Sequence, residues 1–319
     1  MYRLTIPLAV MLIISGCNKG AEQQMHPKSQ EFTIQITESF KGKYPIKVTC
    51  TTGMVADLVR HVGGQHVQIH QLMGAGVDPH LYKASPGDVR LLQNADVIFY
   101  SGRHLEGKMT EIFVSLAQKK PTFPITAKIH DESVMPNRDG EHDPHLWFDV
   151  SLWSQGIDLV KEVLEKFDPQ HKDDYRQCAA DYHKELAQLH QYAKEQLAKI
   201  PKSQRVLVTA HDAFRYFGRA YDIEVRGIQG ISTESEAGVK EINELVDLLC
   251  KRKIKAVFVE TSVSEKNVRA LIEGCQARGH QVVIGGELFS DAMGEAGTPS
   301  GTYVGMVKHN VNTIVKALQ

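Results

Sequence analysis

No Cys-x-x-Cys pair and no His-Glu-x-x-His motif occurs in the 319 residues. The first absence argues against a thiolate zinc site, and the second leaves a zinc hydrolase without its commonest helical signature. Charge of one sign is also missing. Lys and Arg number 37 against 38 Asp and Glu, a net −1, so no global field points to nucleic acid. Beyond residue 14 no apolar run is long enough to span a bilayer. What remains, at 42% hydrophobic and 24% charged, has the composition of a globular protein. The length is too great for one small core and predicts two lobes.

The N-terminus differs in character. Arg3 is followed by an apolar stretch of 11 residues, 4–14, which is too short for a bilayer of ~30 Å. It ends in Ile14-Ser15-Gly16-Cys17, and small residues before a cysteine resemble the bacterial lipobox. The expectation is a signal peptide at 1–16 and a lipid on Cys17. The mature chain is then exported, to the periplasm or the cell surface, and anchored to a membrane. Residues 17–44 are polar and read as a lipid-linked, flexible tether. Cys50, Cys178, Cys250 and Cys275 remain. Cys250 and Cys275 are nearest in sequence, and spacing leaves both a disulfide and buried free thiols open.

From residue 46 onward strand and helix signals alternate. Short β-branched runs mark strands at 46–51, 67–72, 96–100 and 121–125, and again at 206–209, 223–225, 256–259 and 282–284. Helical patterns lie between them. One opens on Ser85-Pro86-Gly87-Asp88, a cap, a first-turn Pro and an acidic third residue. The longest starts at Asp168-Pro169 and carries an apolar stripe from Tyr175 to Leu197, with no Gly or Pro before Pro201. About 30 residues at ~1.5 Å each make a rod of roughly 45 Å, which suits a connector between lobes. The fold class is therefore α/β: two (β/α)4 lobes with parallel sheets, one long connecting helix and a cleft. The expected boundaries are 45–167 for the N-terminal lobe, 168–200 for the connecting helix and 201–319 for the C-terminal lobe.

The tetrapeptide Asp-Pro-His-Leu occurs twice, at 78–81 and 143–146. Asp caps helices and Pro suits their first position. Each histidine is thus expected in the first turn of a helix, where the dipole disfavours imidazolium and leaves the ring free for a metal. The bland alternative is a turn used twice, with surface histidines. In open parallel sheets ligands gather beyond the carboxyl ends of strands, and His80, His145, His211 and Asp291 all follow strands. Their gaps are 65, 66 and 80 residues, so they converge only if the lobes face each other. Three imidazoles and a carboxylate suit Zn²⁺ and accept Mn²⁺ or Fe²⁺. Taken singly, His211 could cap a helix and Asp291 could close a turn. His104, Glu106, His142 and Glu260 are candidates to support the ligands from behind. His61, His66 and His70, with His171, His183 and His190 on the long helix, read as surface.

Around these residues the sequence resembles a known family. Gly76-Val77-Asp78-Pro79-His80, His142-Asp143-Pro144-His145-Leu146-Trp147, Thr209-Ala210-His211-Asp212-Ala213-Phe214 and the run from Gly286 to Gly294 are similar to four metal-ligand motifs. They belong to the cluster A-I (TroA-like) solute-binding proteins of manganese, zinc and iron ABC importers. The resemblance implies two (β/α)4 lobes on a rigid backbone helix, with His80, His145, His211 and Asp291 holding one divalent ion as cargo. It also implies an ABC permease as partner. The chain is expected to act as a monomer, without nucleic acid and not as an enzyme. The loop at 129–142 is short and poor in histidine, unlike many zinc scavengers, whereas His211 stands where many manganese and iron members carry Glu. The two departures pull in opposite directions. A surface adhesin and a zinc hydrolase are the rival readings.

Overall fold

The computed structural model describes residues 32–137 and 142–319. The leader at 1–16 and Cys17 lie outside the described residues. Residues 32–319 form one compact unit, and no helix among the described residues is long and apolar enough to cross a membrane.

The first half is a four-stranded parallel sheet. Its strands are β1 (Ile46–Cys50), β2 (Val67–Gln71), β3 (Val97–Tyr100) and β4 (Thr122–Pro124), in the order β2-β1-β3-β4. Val48 on β1 faces Ile69 on one side and Val97 on the other. The helices α1 (Gly53–Gly63), α2 (Pro86–Asn94) and α3 (Thr110–Ala117) connect the strands. Ser85 and Asp88 close the expected capping box at the start of α2. After β4 the chain passes through short 3₁₀ turns to α4 (Val150–Trp153) and α5 (Gln155–Phe167).

The second half holds two parallel pairs, β5 (Val206–His211) with β6 (Glu224–Gln229) and β7 (Ala256–Glu260) with β8 (Val283–Leu288). Strands β5 and β7 lie side by side, so four strands share one layer. Its helices are α7 (Arg215–Tyr221), α8 (Val239–Arg252), α9 (Lys266–Ala277) and α10 (Tyr303–Leu318). Gly227 on β6 has no room for a side chain, because a Cβ there would collide with the backbone of Asp212. That close approach fixes the turn that leaves His211.

The long helix is α6 (Lys172–Leu197), 26 residues or roughly 39 Å at ~1.5 Å per residue. The 3₁₀ turn Pro169–His171 precedes it. Its buried stripe runs through Tyr175, Ala179, Tyr182, Leu186, Leu189 and Ala193 to Leu197. Helices α1 and α5 pack on it from the first half, and α7 and α10 from the second. Tyr182 donates to the buried Asp57 carboxylate of α1 at 2.8 Å. A hydrogen bond to a buried charge contributes roughly 1.5–3 kcal/mol, so α6 is joined to the first half by more than apolar contact. Cys178 belongs to the same sequence stripe but is only partly buried. Cys250 and Cys275, on α8 and α9, are free with their thiols in contact.

Two expectations need correction. Residues 32–44 do not hang free as part of a tether. Ile34 is buried, Phe40 packs its ring against Phe167, and Tyr44 donates to Asp168 at 2.7 Å. These apolar and aromatic residues gain more from burial than the polar stretch around them suggests. Nor does either Asp-Pro-His open an α-helix. His80 sits in a turn, and His145 precedes the single 3₁₀ turn Leu146–Phe148. In both copies the aspartate folds back onto the histidine's own backbone. Asp78 Oδ1 accepts from His80 N–H at 2.8 Å, and Asp143 Oδ1 from His145 N–H at 3.1 Å. This is the turn chemistry that Asp favours as an alternative to a helix cap.

Candidate metal centre

Each donor reaches the centre by its own element. His80 lies on the loop between β2 and α2, and His145 on the turn before Leu146–Phe148. His211 is the last residue of β5, and Asp291 follows β8. All four are withdrawn from solvent: His80 is 6% exposed, Asp291 1%, and His145 and His211 0%.

Their donor atoms converge within 4.8 Å of one another. His80 Nε2 lies 3.3 Å from His145 Nε2 and 3.7 Å from Asp291 Oδ2. His145 Nε2 is 3.4 Å from Asp291 Oδ1, and His211 Nε2 is 3.2 Å from Asp291 Oδ2. A tetrahedral ion with bonds of 2.0–2.2 Å spaces its ligands by roughly 3.3–3.6 Å, which matches these separations. His211 Nε2 and both Asp291 oxygens have no partner in hydrogen-bond geometry despite their closeness. Buried polar atoms left unpaired are costly. Aimed at one point, they fit a cation.

Carboxylates brace two of the rings from behind. Asp143 Oδ1 takes His145 Nδ1 at 2.8 Å, and Glu260 Oε2 takes His211 Nδ1 at 2.5 Å. Glu260 Oε1 also accepts the backbone N–H of His211 at 2.9 Å. With the proton on Nδ1, each Nε2 presents a lone pair to the centre.

Charge within the site follows from these neighbours. Burial works to lower the basicity of His145, yet Asp143 and Asp291 outweigh it and push it up to about 9. His211 is likewise raised well above the usual range, with Glu260 and Asp291 overcoming burial. Among the described residues no carboxylate stands behind the His80 ring, and burial takes it down to about 4 despite Asp291. Burial pushes Asp291 up, but the three imidazoles hold it well below the carboxylate range. The helix dipole expected from the sequence plays no part. Burial disfavours the proton on His80, whereas the carboxylates favour one on His145 that a cation must displace.

The supporting candidates divide. Glu260 stands behind His211. Glu106 does not touch any of the four donors. Its oxygens accept instead from Thr51 Oγ1 at 2.6 Å, Ser101 N–H at 2.7 Å and Gly102 N–H at 3.2 Å, so it ties the end of β3 to that of β1. His104 and His142 line a cavity of ≈ 490 Å³ that His80 also faces, and neither joins the donor cluster. His104 sits at φ 64, in the left-handed region. Asp143 escaped sequence reading as a brace, because its role as a local cap accounted for it. The signal was its repeated position two residues before a histidine.

The profile of the family described as "Zinc-uptake complex component A periplasmic" matches residues 48–317. The chain belongs to that family. Among relatives of the zinc-uptake component, the "Manganese-binding lipoprotein MntA" of Bacillus subtilis is 49% identical over 275 residues, covering 86% of this chain and 90% of that one. The "Zinc-binding protein TroA" of Treponema pallidum is 49% identical over 274 residues, 86% of this chain and 89% of that one. The solved structure of that periplasmic zinc-binding protein superposes with a TM-score of 0.84 at 48% identity, covering 87% of this chain and 99% of that one. The two-halved α/β fold on a long helix is thus shared with a metal-binding relative. The zinc-uptake family is one of substrate-binding transport proteins, and three imidazoles with one carboxylate form a site able to hold a metal.

Proposed function

We propose that this protein is the extracytoplasmic substrate-binding lipoprotein of a metal ABC importer. It encloses one divalent transition ion between its halves, with His80, His145, His211 and Asp291 as ligands, and passes it to a membrane permease. The observation that carries this reading is the set of four buried donors aimed at one point, with His211 Nε2 and both Asp291 oxygens unpaired. Manganese is named for the Bacillus relative and zinc for the Treponema relative, which supports Mn²⁺ or Zn²⁺ as cargo. Three nitrogens and one oxygen accept Fe²⁺ as well. Four protein donors complete the shell and leave no open position for a reacting water, so the protein performs no chemistry on its cargo.

The remaining assignments extend the same reading. Residues 1–16 are the export leader, and Cys17 carries the lipid that holds the protein on the outer side of its membrane. The lobes are 45–167 and 201–319, joined by 168–200, and one chain is the working unit. Calorimetric titration of metal-stripped protein with Mn²⁺, Zn²⁺ and Fe²⁺ tests the capture step. One site per chain is expected for at least one of them, and none in His145→Ala. Equal binding by parent and His145→Ala would overturn the ligand set, and an inert parent would bring the surface adhesin forward.

A further inference from the structure

The two sides of the cleft are joined unequally. On the His145 side, several bonds join the halves and most of them are buried. Tyr216 Oη donates to Asp143 C=O at 2.9 Å and accepts from Met135 N–H at 2.9 Å. Trp147 Nε1–H donates to Ser290 C=O at 3.0 Å, and Tyr303 Oη donates to Trp147 C=O at 2.6 Å. His145 is therefore fastened to the second half, where His211 ends β5 and Asp291 follows β8. Three of the four donors are thus either part of the second half or bonded to it.

His80 is placed differently. Among the described residues no carboxylate braces its ring, it is the most exposed of the four, and the neighbouring Leu81 is 48% exposed. The polar contacts that cross the cleft here come from one loop of the second half, between β6 and α8. Thr233 Oγ1–H donates to Asp78 Oδ2 at 2.6 Å, while Oδ1 of the same carboxylate holds the His80 N–H at 2.8 Å. Next to it Glu234 pairs with Lys108 at 2.5 Å. A single aspartate thus links a hydroxyl of the second half to the backbone of a ligand from the first.

We propose that Thr233 and Glu234 are positioning residues that latch the His80 turn onto the ion, and that the ion enters and leaves on this side. The inference rests on the capture reading above. For an ion to escape, one donor must part from the rest, and His80 is the donor whose separation breaks the fewest bonds. Thr233 bears the larger share of the latch, because its partner is a partly buried charge. The Lys108–Glu234 pair is about one-third and one-half exposed, so solvent screens it.

The test compares the full-length parent with Thr233→Val, Thr233→Ser, Lys108→Glu, and Lys108→Glu combined with Glu234→Lys. Each is loaded with Mn²⁺ or Zn²⁺, and release into excess chelator is followed. Thr233→Val is expected to bind one ion per chain, to lose no more than a few degrees of Tm and to release the ion roughly tenfold faster or more. Thr233→Ser keeps the hydroxyl and is expected to release at the parental rate. Lys108→Glu is expected to speed release by roughly threefold, and the charge swap to restore it. Parental release from Thr233→Val would overturn the latch. Hydrogen exchange of the metal-free proteins reads the same contact independently. Faster exchange at 78–81 in Thr233→Val supports the latch, and unchanged exchange there overturns it even if the parent takes up no ion. Failure of the capture reading itself would show separately, as a parent that loads no metal.

Discussion

Asp291→Ala is expected to lose tight metal binding, with Kd weaker by at least about 10²–10³-fold. Asp291 is the one anionic donor among the four, and it lies against all three imidazoles. Removing one partner from a buried charge cluster costs about 3–5 kcal/mol, which corresponds to that range. The variant also removes one of the two carboxylates that raise each of His145 and His211 in the metal-free protein, leaving Asp143 and Glu260 in place. Asp291→Asn preserves the volume and separates the loss of charge from the loss of packing. Competition against a chelator of known affinity measures both. A Kd for Asp291→Ala within threefold of the parent would remove Asp291 from the ligand set.

Glu260→Gln is expected to weaken binding by about 10–100-fold, although Glu260 does not face the ion. It holds the His211 ring through Nδ1 and the His211 backbone through its other oxygen. An amide can turn its NH₂ towards Nδ1, which favours the wrong tautomer and directs the Nε2 proton at the centre. The same carboxylates give binding its pH dependence. His145 and His211 are raised, so each carries a proton below its raised value and must shed it before it can ligate. Affinity therefore rises with pH towards about 9, where His145 becomes neutral without a metal, and falls as pH drops towards 6. Calorimetry in two buffers of different ionisation heat should register net proton release at pH 7. Glu260→Gln should release less, because its His211 no longer holds a stabilised proton. Parental affinity and proton release in Glu260→Gln would show that the brace has no influence on the site.

Much of this architecture was legible in the sequence because period and punctuation agree there. The α6 stripe repeats at three and four residues, and Ser85-Pro86-Gly87-Asp88 forms a capping box that local chemistry alone specifies. His211 and Glu260 stand at the ends of β5 and β7, and these neighbouring strands bring the two ends together. What was misread depended on choices that local sequence leaves open. Asp-Pro serves a helix cap and an Asp turn equally well. The capping box at Ser85 begins five residues after His80, so no helix has room to form between them. Glu106 lies just beyond the end of β3, much as Glu260 ends β7. Its oxygens turn to Thr51 and to two backbone amides, a preference that only the packed loop decides. The loop bearing Thr233 has no apolar period at all, and its contact with Asp78 spans 155 residues. Nothing short of the folded chain brings those two side chains together.

The most direct measurement is elemental analysis of the protein purified from its own cells without added metal, beside His145→Ala prepared identically. Close to one manganese, zinc or iron per chain in the parent, and none in the variant, is the result expected if the four donors form a capture site. Parent and variant carrying the same metal content, whether one ion or none, would contradict it.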